Sequence, residues 1–209
     1  MNHGSFGACP KPIFQSLLNY QIQLENQPVQ FLEKDSEELM LNSRDSLAQF
    51  IGCNPDNLVF FQNPTTAINE IVRSLKLNKG DEILSTNHEY GAMDKTWDFI
   101  CNKNQAKYIK STISLPVTDE ETFTNNFLSG VTPNTKIFFL SHITSATGLY
   151  FPIKEICKFA KRNNILTIID GAHVPGHFDL NIDSLEVDIY VGTCHKWLLC
   201  PKGVSFLYV

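Results

Sequence analysis

The sequence predicts an α/β fold in which a mainly parallel sheet of seven strands is covered by helices on both faces. Three observations lead to this prediction. After residue 55, short apolar segments alternate with segments of helical period, which is typical of parallel strands connected by helices. The composition is that of a globular protein, with 43% apolar and 19% charged residues. The 209 residues also suffice for one large domain with a buried core.

The first fifty residues are predicted to form two helices. Residues 11–25 place apolar side chains at helical spacing, and residues 31–50 mix apolar and charged side chains in the same way. Gly52 then provides a stop signal. We therefore divide the chain into a helical N-terminal arm, residues 1–52, and a large α/β domain, residues 53–209.

The large domain contains seven apolar segments that are predicted as strands. These are residues 58–61, 82–85, 106–109, 136–141, 166–169, 188–191 and 203–209. The predicted connecting helices are residues 65–75, 92–101, 119–129 and 152–163. Open α/β sheets place functional groups beyond the carboxyl ends of their strands. Polar residues that directly follow a strand are therefore the first candidates for a site.

Charge and hydropathy exclude several classes of function. The formal net charge is −5 and no basic stretch stands out, which argues against a nucleic-acid partner. No apolar run approaches the roughly 18 residues of a membrane span, so we expect no membrane contact. The first residues show no basic and apolar leader, so no signal peptide is expected.

The six cysteines lie far apart and form no CxxC pair. This spacing indicates reduced thiols rather than a disulfide framework or a zinc site, and we predict no metal. We therefore expect a soluble cytoplasmic domain. The cysteines are Cys9, Cys53, Cys101, Cys157, Cys194 and Cys200.

Two charged residues follow predicted buried strands. Asp170 ends one strand, and a carboxylate in that position is partly desolvated and needs a cationic partner; the alternative is a carboxylate that caps a turn. Lys196 is the only Lys, Arg, Asp or Glu between Asp188 and Lys202. Apolar surroundings can make a lysine a nucleophile for carbonyl groups, and the alternative is a side chain that extends its ammonium group into solvent.

Three further polar segments follow other strands. Residues 63–66, Asn-Pro-Thr-Thr, open a helix, where hydroxyl groups cap backbone N–H groups or hold a phosphate. Tyr90 could stack on a planar ring or anchor the following helix in the core. Residues 141–148 carry several hydroxyl groups and His142, which is a common loop composition and the weakest of these signals.

Together these segments provide an amine, a carboxylate, a phosphate cradle and an aromatic side chain, each after a separate strand. Pyridoxal phosphate needs this set of groups: a lysine for a Schiff base, an acid beside the pyridine nitrogen, a phosphate anchor and a stacking residue. We therefore predict pyridoxal phosphate as the cofactor and an amino acid as the small-molecule substrate.

These motifs resemble the class V aminotransferases, the fold-type I pyridoxal phosphate enzymes that include cysteine desulfurases. Asp170-Gly-Ala-His173 precedes Lys196 by 26 residues, in a segment that reads His195-Lys-Trp197. Residues 2–7 (NHGSFG), 87–92 (NHEYGA), 141–145 (SHITS) and 194–203 (CHKWLLCPKG) look most similar to the isopenicillin N epimerase-like branch, which includes cysteine desulfhydrases. The resemblance runs from Asn2 to Val209.

The resemblance implies three catalytic residues. Lys196 would form the Schiff base with the cofactor aldehyde and later act as the base for the α-proton. Asp170 would pair with the protonated pyridine nitrogen, and His173 would lie beside the ring near its phenolic oxygen.

The resemblance also implies the residues that hold the cofactor and the substrate. Tyr90 would stack on the ring, Ser145 would lie near the phenolic oxygen, and Thr65, Thr66 and His195 would hold the phosphate. The residues that approach the substrate mouth would be Asn2, His3 and Ser5.

The implied reaction is a lyase, epimerase or aminotransferase reaction on an amino acid, and the residues present are common to all three. We favour C–S or β-elimination chemistry because many relatives in this branch act on sulfur amino acids. Family members also carry a small C-terminal domain with an arginine for the substrate carboxylate, and we expect that domain to lie outside these 209 residues. The alternative is therefore a truncated relative that binds the cofactor or a partner without turnover.

The resemblance further implies a homodimer, in which the neighbouring subunit helps to hold the phosphate. The helical arm could form the dimer contact or could pack on its own sheet.

Overall fold

Seven strands form one sheet in the order β1-β7-β6-β5-β4-β2-β3 in the computed structural model, which describes residues 2–209. The strands are β1 (Leu58–Phe61), β2 (Glu82–Thr86), β3 (Lys107–Ser111), β4 (Thr135–Ser141), β5 (Leu166–Gly171), β6 (Ile189–Thr193) and β7 (Ser205–Tyr208).

The sheet is mainly parallel, as predicted. Five neighbouring strands are parallel to one another: β3, β2, β4, β5 and β6. Strand β7 lies between β6 and β1 and runs antiparallel to both. The α/β fold class and the seven strands that the sequence predicts are therefore confirmed.

Seven α-helices precede or connect the strands of the described chain. They are α1 (Lys11–Asn26), α2 (Pro28–Gln30), α3 (Ser36–Ile51), α4 (Pro64–Ser74), α5 (Gly91–Asn104), α6 (Glu120–Leu128) and α7 (Ile153–Arg162). A π-helical turn at Phe31–Asp35 joins α2 to α3. This second helical segment begins three residues earlier than predicted, because a proline such as Pro28 is compatible with the first turn of a helix.

Two apolar cores lie on opposite faces of the sheet, because successive residues of a strand point to opposite faces. On β4, Phe138 and Leu140 face the core that α6, α7 and the end of α3 cover. Ile137 and Phe139 face the core that α4 and α5 cover. Helices therefore cover both faces of the sheet, as predicted.

The helices of the N-terminal arm join the main core only at the end of α3. No residue of α1 is buried, whereas Leu47, Ala48 and Ile51 of α3 join the main core. The packing of the arm on its own sheet is thus limited to this last part of α3. The division of the chain at residue 52 stays a prediction.

Two further properties follow from the described residues. None of their helices combines the length and the apolar character that crossing a membrane requires. All six cysteines are free thiols, and no group of three or more His, Cys, Asp or Glu side chains among residues 2–209 is arranged to hold a metal ion.

The strand register places two of the predicted polar segments side by side. Ser141 at the end of β4 pairs with Asp170 on β5, and Gly171 pairs with Gly192 on β6. Asp170 lies within β5 rather than after it, because its backbone remains paired with Ser141 and Val191. The carboxyl edge of the parallel strands therefore brings together side chains that are far apart in sequence.

Candidate active site

A cavity of about 260 Å³ lies at the carboxyl edge of the parallel strands. Its walls come from the N-terminal segment, the start of α4 and the loops after β2, β4, β5 and β6. Most of the predicted site residues line it: Ser5, Thr65, Tyr90, Ser145, Asp170, His173, His195 and Lys196.

Lys196 reaches the cavity from the loop after β6. Its Nζ lies 3.2 Å from Nε2 of His173, and Trp197 Nε1 donates a hydrogen bond of 3.3 Å to Nδ1 of the same ring. Burial lowers the pKa of Lys196, and the charge of Asp170 opposes that effect. Burial, together with the nearby Lys196 charge, lowers the pKa of His173 to about 4. His173 is therefore neutral at pH 7, and the amine of Lys196 is closer to its nucleophilic form than an exposed lysine is.

Asp170 is only 6% exposed, and its carboxylate accepts one hydrogen bond from a described residue, from the N–H of Ala172 to Oδ1 at 3.0 Å. Burial raises its pKa, whereas the Ala172 N–H and the Lys196 charge oppose this rise. A buried carboxylate with so few donors has capacity for another. The cavity therefore fits a ligand that presents a protonated ring nitrogen to Asp170.

The start of α4 forms another wall of the cavity. Thr65 lines it in the first turn of the helix, where backbone N–H groups and the helix dipole favour an anion. His195 faces the same cavity, and its Nδ1–H donates to the carbonyl oxygen of Val204 at 3.1 Å. Both residues stand where an anionic group could be held.

The phosphate role that the resemblance implies for Thr66 stays a prediction, and the structure places Thr66 differently from Thr65. Asn63 caps α4 and accepts hydrogen bonds from both the N–H and the hydroxyl group of Thr66, at 2.8 and 3.1 Å. Thr66 is absent from the cavity wall and instead lines a larger apolar groove of about 1040 Å³ beside α3. That groove holds no other predicted site residue.

The N-terminal segment covers the mouth of the cavity. Ser5 lines both the cavity and an adjoining pocket of about 300 Å³, and Asn2 lines the adjoining pocket. His3 lines neither; its ring lies edge-on to Trp197 with centroids 6.1 Å apart. A Cβ atom on Gly4 would lie 3.0 Å from the Trp197 ring, so glycine permits this close approach.

Two other histidines make structural contacts. His88 Nε2 lies 2.8 Å from the carbonyl oxygen of Ile113. His142 is buried, and its Nδ1 lies 3.0 Å from the hydroxyl group of Tyr190. Burial lowers the pKa of His142 to about 4, so it is neutral at pH 7. Neither residue lines the cavity.

Glu89 is a residue beside the site for which the sequence predicts no role. Its carboxylate accepts hydrogen bonds from the Thr86 hydroxyl at 2.6 Å and from the N–H and hydroxyl groups of Ser141 at 2.7 and 2.6 Å. Glu89 thus fixes the loop that carries Tyr90 to the end of β4, next to Asp170. Its position directly before Tyr90 is the only signal in the sequence.

Burial raises the pKa of Glu89 to about 7, which predicts a pH-dependent stability. The stabilisation from this raised pKa is complete below about pH 4.5 and is lost as pH rises through 7. Between pH 4.5 and 8, wild type should therefore lose about 3 kcal/mol more unfolding free energy than Glu89→Gln. Urea unfolding at both pH values measures this difference, with exposed Glu120→Gln as the control. Equal losses in Glu89→Gln and wild type would contradict the prediction.

Comparison with known proteins places these motifs in a family. The family model for aminotransferase class-V matches residues 8–209. Isopenicillin N epimerase of Streptomyces clavuligerus is 36% identical over 211 residues, which cover 100% of this chain and 52% of that protein. An L-cysteine desulfhydrase-like protein of Epichloe uncinata is 28% identical, with coverage of 100% and 46%.

A solved structure with a similar fold gives the same indication. A cystine C–S lyase in complex with its product cysteine persulfide superposes with a TM-score of 0.92 at 26% identity, covering 100% of this chain and 56% of that one. Another structure of this lyase, a mutant, has glycine covalently linked to its pyridoxal phosphate cofactor. The chain spans about half the length of the curated relatives it matches. Since the family model covers nearly all of the 209 residues, the chain belongs to the class V aminotransferase family.

Proposed function

We propose that this chain forms the cofactor-binding part of a pyridoxal phosphate enzyme that removes a sulfur group from an amino acid by β-elimination. Pyridoxal phosphate is the cofactor of the family to which the chain belongs. One observation carries the proposal: the Lys196 amine, 3.2 Å from His173, lines the same cavity as the buried carboxylate of Asp170. An amine and a sparsely hydrogen-bonded carboxylate are the two groups that pyridoxal phosphate requires.

Three residues on the cavity wall would have separate roles in the reaction. When bound, pyridoxal phosphate withdraws electrons from the α-carbon of an amino acid joined to it, which makes the α-proton removable. Asp170 would hold a proton on the pyridine nitrogen through its carboxylate. Lys196 would accept the α-proton at Nζ, because burial lowers its pKa toward the working pH. Tyr90, at the start of α5, would cover one face of the ring.

The remaining wall residues would bind and orient. Thr65 and the first turn of α4 would hold the phosphate together with His195. Ser145 and His173 would lie near the phenolic oxygen, and Ser5 and Asn2 would approach the substrate from the mouth. His3 would act indirectly, through its contact with Trp197.

The proposed net reaction balances with water as the only co-substrate. Cysteine and water would give hydrogen sulfide, pyruvate and ammonia. The α C–H bond and the β C–S bond break, and the electron pair of the C–S bond leaves with sulfur, which takes up protons as hydrogen sulfide. Water then replaces nitrogen at the α-carbon, so the C–N bond also breaks and ammonia is released. The similarity to a cystine C–S lyase and to cysteine desulfhydrase-like proteins supports this choice among carbanion reactions.

Epimerisation is the second candidate, and the 36% identity to isopenicillin N epimerase favours it. In that reaction a proton would be returned to the opposite face of the α-carbon, so no bond to sulfur would break. The cavity residues named above serve both reactions.

One assay separates these functions. The protein is incubated with pyridoxal phosphate and cysteine in deuterated water, and sulfide, pyruvate and α-deuteration are measured. Sulfide and pyruvate in equal amounts support the lyase. Exchange and inversion at the α-carbon without sulfide, across a panel of amino acids, support the epimerase. Retained cofactor with neither exchange nor product would mean a protein that binds the cofactor without turnover.

His195 allows a test of the phosphate site. His195→Asn keeps a donor toward Val204 but removes Nε2, the ring nitrogen that has no described partner. Loss of a charge-assisted hydrogen bond is expected to weaken pyridoxal phosphate binding by about 10- to 100-fold. Absorbance titration measures this, and pyridoxal without phosphate is the control ligand. Equal weakening of both ligands would contradict a phosphate-binding role for His195.

We also propose that the chain works as a homodimer. The N-terminal arm leaves large apolar side chains in solvent, among them Ile22, Val29 and Leu32, each at least 58% exposed. Burial of such side chains against a second copy would be favourable. Light scattering of the purified protein tests this, and a monomeric mass would contradict it. The cytoplasmic location expected from the sequence stays a prediction.

A further inference from the structure

We propose that Trp197 is a positioning residue that fixes the tautomer of His173 and thereby keeps the amine of Lys196 in its unprotonated form. The inference concerns hydrogen-bond direction in the chain itself. It rests on the proposed function only in one respect: the unprotonated amine of Lys196 is the nucleophile in that function.

The direction of the first hydrogen bond is fixed by the chemistry of tryptophan. An indole N–H can donate but cannot accept. Trp197 Nε1 lies 3.3 Å from Nδ1 of His173, so Nδ1 must be the acceptor and carries no proton. A neutral imidazole has one N–H group, and in His173 that proton must therefore be on Nε2.

The direction of the Trp197–His173 hydrogen bond determines the direction of the His173–Lys196 hydrogen bond. Nε2 of His173 lies 3.2 Å from Nζ of Lys196. When Nε2 carries the proton, it donates, and Nζ must accept. An ammonium group has no lone pair with which to accept, whereas a neutral amine has one. The pair of contacts is therefore complete only when Lys196 is unprotonated.

The protonated state of Lys196 would disrupt this arrangement. An ammonium group could keep its hydrogen bond to His173 only with Nε2 as the acceptor, which would place the ring proton on Nδ1, facing the N–H of Trp197. One of the two half-buried N–H groups would then lose its partner, and such a loss costs free energy. Trp197 thus favours the nucleophilic form of the amine.

Other contacts hold Trp197 in place. The His177 ring stacks on it with centroids 4.3 Å apart and an angle of 16° between the planes. The absence of a side chain on Gly4 lets the backbone of the N-terminal segment approach the indole. The ring of His3 lies edge-on to it from the same segment. The indole N–H is therefore directed at His173 by contacts on several sides.

The charged and titratable groups that face this chain of contacts act in different directions. Asp170, on β5, raises the pKa of Lys196, whereas burial lowers it more strongly. Burial is the largest cause that lowers the pKa of His173, to about 4, and His177, in the loop after β5, lowers it further, so His173 is neutral at pH 7. His195, directly before Lys196, has its own pKa lowered by burial. The neutral state of His173 that the inference requires is therefore the stable one.

The test uses the cofactor-free chain and the variant Trp197→Phe, which keeps an aromatic ring but removes the N–H donor. The ¹⁵N spectrum of His173, assigned with His173→Gln, reports which ring nitrogen carries the proton. Acetic anhydride labelling across a pH series, read by peptide mass spectrometry, reports the fraction of Lys196 in its amine form. Trp97→Phe is the matched control, because the N–H of buried Trp97 has no hydrogen-bond partner in the described chain and Trp97 lies outside the cavity.

We expect wild type and Trp97→Phe to show the proton on Nε2. We expect Trp197→Phe to show a mixture of tautomers and about tenfold slower labelling of Lys196 at neutral pH, which corresponds to a pKa increase of about one unit. A wild-type spectrum with the proton on Nδ1 would overturn the inference without any variant. Unchanged spectrum and labelling in folded Trp197→Phe would also overturn it.

Two controls keep the outcome interpretable. Should Trp197→Phe fail to fold, benzothienylalanine at position 197 provides the same ring shape with sulfur in place of N–H. Pyridoxal phosphate binding is measured separately by absorbance. A chain with the expected tautomer and labelling but no cofactor binding would refute the proposed function and leave this inference intact.

Discussion

Lys196→Ala is expected to abolish covalent capture of pyridoxal phosphate while leaving the fold intact. Among residues 2–209, Lys196 provides the only amine on the cavity wall, and alanine cannot replace it as a nucleophile. The variant should also lose the base for the α-proton, so deuterium exchange at the α-carbon of a bound amino acid should fall by at least about 100-fold. Absorbance after dialysis measures cofactor retention, and proton NMR measures the exchange.

The control for this experiment is Lys154→Ala, which removes an exposed lysine at the start of α7. It should retain the colour and exchange rate of wild type. Far-ultraviolet circular dichroism establishes that both variants are folded. A folded Lys196→Ala protein that retains the cofactor after dialysis as wild type does would show that another lysine holds it.

Asp170→Asn is expected to give the second largest loss of activity. Asparagine keeps the shape of the side chain and can still accept the Ala172 N–H, but it removes the negative charge that would hold a proton on the pyridine nitrogen. Loss of such a preorganised electrostatic interaction typically costs about 100- to 1,000-fold in rate. The exchange assay described for Lys196 measures it, and wild-type exchange in Asp170→Asn would contradict the proposed role.

The same substitution should improve the stability of the chain without cofactor at alkaline pH. Burial raises the pKa of Asp170, so the stabilisation that this shift provides is present at acid pH and is lost as pH rises through the folded-state pKa. Asparagine has no such loss. A urea unfolding series from acid to alkaline pH should therefore show a smaller loss of stability in Asp170→Asn than in wild type. If Asp170→Asn is less active than wild type but more stable at alkaline pH, Asp170 is retained for function rather than for stability.

The sheet could be predicted from sequence because its strands are continuous apolar segments between amphipathic helices. That pattern also placed Asp170 and Lys196 at the same edge, since the carboxyl ends of parallel strands lie together. Asp170 and Lys196 became candidates on this geometry, whereas the roles expected for His173 and His195 came only from the family resemblance.

The sequence could not distinguish neighbouring residues that differ in orientation. Thr65 and Thr66 are adjacent, but successive residues of a helix point about 100° apart, so only Thr65 lines the cavity. The cap by Asn63 also occupies both the N–H and the hydroxyl group of Thr66. A motif that lists both threonines cannot distinguish them.

Other residues were missed because their roles depend on distant partners. Glu89 acquires its position from Ser141, which is 52 residues away on another strand. His177 looks like an ordinary loop histidine, but the chain turns back at Gly176, where φ is +79°, and sets the His177 ring on Trp197. The periodicity of a single segment contains no information about such contacts.

The most direct test of the account is to locate the cofactor on the wild-type chain. The purified protein is saturated with pyridoxal phosphate, reduced with borohydride to make the bond permanent, digested and mapped by mass spectrometry. We expect one pyridoxyl group per chain, on the peptide that contains Lys196. No incorporation, or incorporation spread over exposed lysines such as Lys154, would contradict it.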